Sequence, residues 1–190
     1  MALGANGNPV LVGNEQNGVA IIKRFNGSTW DNVGPYGGKL RSAGLTLNKP
    51  TLILDASDNP LVSGTVGVPY DSGTTTQDVT VFRYTGTDWQ ELGPRATNFG
   101  VAVGFEAAIA LDANGNPVLA YLGAVVNGYN LYVKRFTNSS WQGVGSDSGA
   151  VGVSGAGWLS LRLGNAGKLL LGFDGSATGS TSTLTVIRSP

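Results

Sequence analysis

LDANGNPVLAY (residues 111–121) and, farther along, VKRFTNSSWQGVG (133–145) are variants of a pair of segments that recurs through the chain. An earlier copy reads LILDASDNPLVSG (52–64) and VTVFRYTGTDWQELG (79–93), and the first reads ALGANGNPVLVG (2–13) and VAIIKRFNGSTWDNVG (19–34). A fourth begins with LRLGNAGKLLLGF (161–173) and stops after LTVIRSP (184–190). The equivalent Leu3, Leu54, Leu111 and Leu163 stand 51, 57 and 52 residues apart, and Trp30, Trp89 and Trp141 stand 59 and 52 apart. A period near 50 marks a repeat architecture.

Inside each copy, short apolar runs alternate with Asn-Gly, Asp-Asn or Gly-rich turns, the pattern of antiparallel strands joined by hairpins. Four strands are expected per copy: A (Pro50 to Leu54, Ala107 to Leu111, Trp158 to Leu163), B (Pro117 to Leu122), C (Leu131 to Phe136) and D (Trp141 to Gly145). One such unit cannot bury both its faces, so the copies must stack. Radial stacking gives an all-β propeller of four blade repeats, about 50 residues each, with four-stranded antiparallel blades. The blade units run approximately 1–49, 50–106, 107–157 and 158–190 in a single domain. The fourth ends after strand C, so it is expected to lack its outer strand and to show a free edge.

The aliphatic strand, the D-x-x-G-N-P turn and the V-K-R-F-x-G-S-x-W-x-x-V-G type of run resemble the blade repeats of bacterial secreted and cell-surface proteins. That resemblance covers essentially the whole chain and implies a propeller in an extracellular or cell-surface setting. No signal peptide is visible at the start, MALGANGNP. The turn before Trp30 also resembles the end of the Asp-box hairpin of sialidase-type propellers. The preceding Ser-x-Asp is missing, so that family's catalysis does not carry over.

Composition narrows the chemistry. The 190 residues contain 12 basic and 12 acidic side chains, no Cys and no His. Zero net charge removes the field that would recruit nucleic acid. Cys/His zinc sites, Cys nucleophiles and Ser-His-Asp machinery each lose an obligatory member. Neither a cofactor nor a metal is expected, and no apolar window is long enough for membrane insertion by a helix. The 30 Gly residues and the 13% charged fraction favour turns over helices.

Repeated side chains point to shared structure. Trp30, Trp89 and Trp141 occupy one position, where a ring can fill the space between blades, the rival reading being exposed rings that stack on sugars. Arg24, Arg83, Arg135 and Arg188 are the charged residues common to all four copies; each shares a face with an apolar residue two positions earlier and so needs a carboxylate, carbonyl or ring as partner. The alternative is a ring of anion-binding guanidiniums. The Asp55 and Asp112 turns carry alternating oxygen ligands like the start of a calcium loop, but the downstream bidentate Glu is missing, and they read as plain hairpin turns.

Variation between copies is concentrated in the B-to-C links (13–18, 65–78, 123–130, 174–183) and the D-to-A links (34–49, 93–106, 145–157). Antiparallel pairing sends both sets to one end of the array. Their polar and aromatic residues are Tyr36, Arg41, Tyr70, Asp71, Arg95, Asn98, Phe99, Tyr129, Asn130, Asp147 and Asp174, a mixture suited to a glycan or protein surface. The expected function is a non-catalytic, extracellular binding or adhesion module using this loop face. One alternative is a building block of a surface layer, fibre or appendage assembled by edge-strand pairing. The other is a glycosidase or lyase using carboxylates such as Asp71, Glu106 or Asp147. The expected partners are a glycan or protein surface, and a homo-oligomer or flanking chain that completes the fourth blade.

Overall fold

The computed structural model describes residues 1–41, 44–69, 75–93, 103–125, 128–146, 149–154, 156–164, 168–175 and 183–188. Among them there is no helix. The first sheet contains β1 (Ala2–Leu3), β2 (Pro9–Asn14), β3 (Ala20–Phe25) and β4 (Trp30–Asn32), hydrogen-bonded in that order. The second contains β5 (Asn48–Leu54), β6 (Pro60–Pro69), β7 (Thr75–Tyr84) and β8 (Trp89–Glu91). The third runs β9 (Val103–Leu111), β10 (Pro117–Val125), β11 (Gly128–Thr137) and β12 (Ser140–Gly143), with β13 (Ala150–Ser154) also paired to β11. The last has three strands, β14 (Ala156–Leu163), β15 (Leu169–Gly175) and β16 (Thr183–Arg188). All pairs are antiparallel, and the architecture is a propeller with a three-stranded fourth blade.

One register unites the blades. Val10 lies opposite Arg24, Leu61 opposite Arg83, Val118 opposite Arg135 and Leu170 opposite Arg188. Because side chains alternate across a strand, the second and third sheets each present two apolar faces rather than one. Val10, Ala20 and Ile22 of the first sheet pack against Leu52, Val62, Phe82 and Trp89 of the second. The opposite face of the second sheet, with Leu61, Val79 and Val81, meets Ile109, Leu119 and Tyr121 of the third. Val118, Ala120, Leu131 and Val133 then cover Leu161, Leu171 and Phe173 of the fourth. The three seams are successive copies of one contact, each made by the leading face of one sheet and the trailing face of the next.

Two side chains fasten a seam in opposite directions. The indole N–H of Trp89 donates to the Val33 carbonyl at 3.2 Å, and that of Trp141 to the Leu92 carbonyl at 3.0 Å. Both acceptors stand three residues after the Trp position of the preceding blade. In return, Arg24 donates to the carbonyl of Asp58, and Arg83 to that of Gly115 at 3.2 Å. Asp58 and Gly115 hold the same left-handed place in the A-to-B turn, with φ of 60° and 76°. The Arg chains therefore satisfy their charge on turn carbonyls across the seam. Arg135 sits 3.0 Å from the Asp112 carboxylate of its own blade.

The links expected to be free loops are partly ladder. Thr65 to Pro69 pairs with Thr75 to Val79, and Gly123 to Val125 with Gly128 to Asn130, because β-branched and small residues continue the strands past the apolar core. The D-to-A link also turns back along strand C. Ile22 N–H donates to the Gly38 carbonyl at 2.8 Å, and Val133 N–H to that of Gly149 at 2.8 Å. A Cβ on Gly149 would lie 2.3 Å from the Val133 oxygen and one on Gly38 2.8 Å from the Ile22 oxygen, so only glycine admits the approach. Leu40 and Leu47 on the first link are fully buried.

Replacing Trp89 tests the seam. Trp89→Ala is expected to lower unfolding free energy by about 3–5 kcal/mol in urea titration. Trp89→Phe keeps most of the ring but orphans the Val33 carbonyl, and should cost about 1–2 kcal/mol.

Candidate functional site

The blade topology gathers the B-to-C and D-to-A connections at one end, and the short A-to-B and C-to-D turns at the other. At the turn end, Asp112 is buried and its Oδ1 accepts the backbone N–H groups of Asn114 and Asn116, both at 2.9 Å. Burial pushes the Asp112 carboxyl up, but the Asn116 and Asn114 hydrogen bonds and the Arg135 charge outweigh it and hold the group below the usual carboxylate range. Asp55 makes the same pair of bonds to Ser57 and Asn59. These aspartates use their oxygens to close the turn. The first blade has Gly4 in this place, and Asp58 reaches over from the second to accept the Ala5 N–H at 2.9 Å. Among the described residues no group of three or more acidic side chains is assembled for a metal ion.

At the connection end, the residues nominated from sequence divide. Arg41 forms an ion pair with Glu91 and lies over the Phe82 ring, 5.2 Å from its centroid. Glu91 also accepts the Thr80 hydroxyl at 2.6 Å. This cluster joins the first D-to-A link to the second sheet. Glu91 was not nominated, although its place two residues after Trp89 offered the signal. Tyr36 is exposed, its carbonyl accepting the Lys39 N–H at 3.3 Å. Asn130 is half-buried on β11 between Gly123 and Ser154, and Tyr129 lies opposite Ala124 in the same strand. Asp174 lies in β15 opposite Leu184. Tyr70, Asp71, Arg95, Asn98, Phe99 and Asp147 lie outside the described residues. The strand C position Arg188 pairs in register with Leu170.

Inside the seam between the second and third sheets is a polar set that the sequence reading passed over. Tyr121 stacks on Tyr132 with centroids 5.4 Å apart and planes 16° from parallel. Burial first, then Tyr132 and the charge of Asp78, push the Tyr121 phenol above its ordinary range. Lys134 is buried; desolvation pulls its ammonium down while Asp78 works against the shift. The repeat carries no common signal for this set, because Tyr121, Tyr132 and Lys134 correspond to Gly13, Ile21 and Lys23 in the first blade and to Gly64, Thr80 and Phe82 in the second.

A groove of about 450 Å³ opens on the outer face of the first sheet, lined by Leu11, Val12, Gly13, Ile21, Lys23 and Trp30. Trp30 is 41% exposed, against 9% for Trp89. The three Trp residues thus share a position but not an environment.

No family model matches the chain, and no curated protein matches it. Among solved structures, an endo-arabinase from Bacteroides thetaiotaomicron VPI-5482 is similar over 95% of this chain and 70% of its own, with 11% identity and a TM-score of 0.55. A protein of unknown function from Dyadobacter fermentans DSM 18053 matches 94% of this chain and 56% of its own, with 12% identity and a TM-score of 0.53. An α-L-arabinanase from Penicillium chrysogenum complexed with arabinobiose covers 96% of this chain and 61% of its own, at 12% identity and a TM-score of 0.49. At these identities the likeness shows the propeller fold.

The expectation of a non-catalytic binding and adhesion module is corrected by this finding. The structures that share the fold include an endo-arabinase, so a propeller with variable connections at one end supplies no ground for excluding catalysis. No helix among the described residues is long and apolar enough to cross a membrane.

The lowered pKa of Asp112 makes its stabilisation complete above the unfolded value near 4 and lost as pH falls through the folded value. Asp112→Asn keeps an acceptor but removes the charge, and should cost about 1 kcal/mol at pH 7. That difference should shrink as the pH falls below the unfolded value and Asp112 takes up its proton, as read from denaturation curves measured across the acid range.

Proposed function

We propose that this protein is a carbohydrate-cleaving propeller, acting outside the cell on a furanose-containing polysaccharide of the arabinan type. The observation that carries the reading is the shared fold with the endo-arabinase across 95% of the chain. The connection end is the natural place for the chemistry, since rigid blades hold loops of differing length around one axis there. The resemblance of the repeats to secreted bacterial blades supports the setting, and a polymer must be met outside the cell.

Glycosidic cleavage needs two carboxyl groups. One, kept protonated, gives its proton to the leaving oxygen, while the other attacks the anomeric carbon or activates water against it. With no His or Cys in the chain, carboxylates are the acid–base groups available to a hydrolase. Asp71, Glu106 and Asp147 are the proposed set: in sequence Asp71 falls in the second B-to-C link, Glu106 in β9 and Asp147 in the third D-to-A link. Asp112 and Asp55 are already committed to closing turns, and Glu91 to Arg41 and Thr80, which leaves them poorly suited to the role.

Incubation with debranched arabinan should release reducing ends with a bell-shaped pH dependence. Asp71→Asn, Glu106→Gln and Asp147→Asn would be assayed separately, and loss of either member of the pair should lower kcat by at least about 100-fold without moving the unfolding midpoint. Absence of reducing-end release from arabinan and from a panel of other plant polysaccharides overturns the assignment, as does full activity in all three variants.

A further inference from the structure

Among the described residues, Leu3, Leu11 and Trp30 are large apolar side chains left exposed, and register places them on one face of the first sheet. Leu3 pairs with Pro9, Leu11 with Lys23, and Phe25 with Trp30. The equivalents of Leu11 in the next two blades, Val62 and Leu119, are fully buried. They are covered by the leading face of the sheet before them. The groove on the first sheet therefore has the composition of a seam face that no other described sheet covers, and its apolar lining belongs to the repeat.

The matching half is at the other end of the array. The leading face of the fourth sheet carries Ser160 and Arg162, both exposed, with Gly172, whose equivalents Ser63 and Ala120 are fully buried in complete seams. Val186 lies opposite Gly172, and Arg188 opposite Leu170, in the register that Arg24 and Arg83 use to cross their seams. The turn acceptor that such an arginine needs also exists in the first blade. Gly7 is the equivalent of Asp58 and Gly115, it has φ of 80°, and nothing stands within 4 Å of where its side chain would be. Among the described residues, apolar clusters join the first sheet to the second, the second to the third and the third to the fourth, and none joins the fourth back to the first.

We propose that two copies of this chain associate head to tail, the leading face of the fourth sheet of each closing over the Leu11 and Trp30 face of the other. The occupant is a second copy because the contact continues a seam already made three times within the chain. Two identical junctions related by a twofold axis close the assembly into a ring of eight blades, within the usual range for propellers. The contact is independent of the hydrolytic chemistry.

Sedimentation equilibrium of the full chain should give a species of twice 19.5 kDa. Two variants separate the junction's halves. Leu11→Lys alters an exposed side chain on the head face, and Gly172→Lys adds to the tail face where the nearest atom is 3.9 Å from a Cβ, so each is expected to keep its circular dichroism spectrum. Each alone should dissociate at least about 30-fold more readily. Mixing the two should restore a dimer, because one intact head then meets one intact tail. A monomeric parent chain at all concentrations overturns the proposal. So do a Gly172→Lys variant that still dimerises with itself, which would mean head-to-head contact, and open polymers that grow with concentration.

Discussion

The second and third sheets of this protein are greasy on both sides, and that constraint governs everything else. Neither has a face to give to water, so stability arises in the seams and not in the sheets. The seam is also directional. Trp89 reaches back to Val33, Arg24 reaches forward to Asp58, and the pair recurs as Trp141 to Leu92 and Arg83 to Gly115. Apolar burial supplies the driving force, whereas these four donors fix which face meets which. The Trp89 indole N–H is buried, and missing its carbonyl would cost about 1–3 kcal/mol.

Much of this was legible in the sequence because the repeat prints equivalent positions one above another. The period gave the blade count, Asn-Gly and Asp-Asn gave the turns, and the shared Trp and Arg marked positions serving the stack. What stayed hidden has a common physical character. Gly38 and Gly149 look like ordinary loop glycines until the return of the link along strand C brings a carbonyl within reach of the missing Cβ. The long B-to-C segments look like free loops, since Thr, Gly and Val there lack the strong alternation of a half-buried strand. Their pairing is set by the strands that lead into them. Arg41 has the look of a ligand contact, but Glu91, fifty residues away, claims it.

The difference between Trp30 and Trp89 was illegible for a further reason. Equivalence in sequence predicts equivalence of place within a blade, but burial depends on whether a neighbour exists. The same side chain is a core residue in the second blade and a surface residue in the first. The candidate chemistry at the connection end is subject to the same limit: carboxylates such as Asp71 and Asp147 fall in segments where the copies differ most, and there the repeat lends no template from which to read them.

The placement of the arginine acceptors bears on how such a chain can lengthen. The first two units each carry an outgoing donor on strand C, and the first three hold a left-handed residue in the first turn, the place of the acceptor for the unit before. A gene segment duplicated whole thus arrives with both halves of the next joint already encoded. Tandem copying can extend the array one unit at a time without inventing any new recognition, and divergence is left to the connections at the far rim.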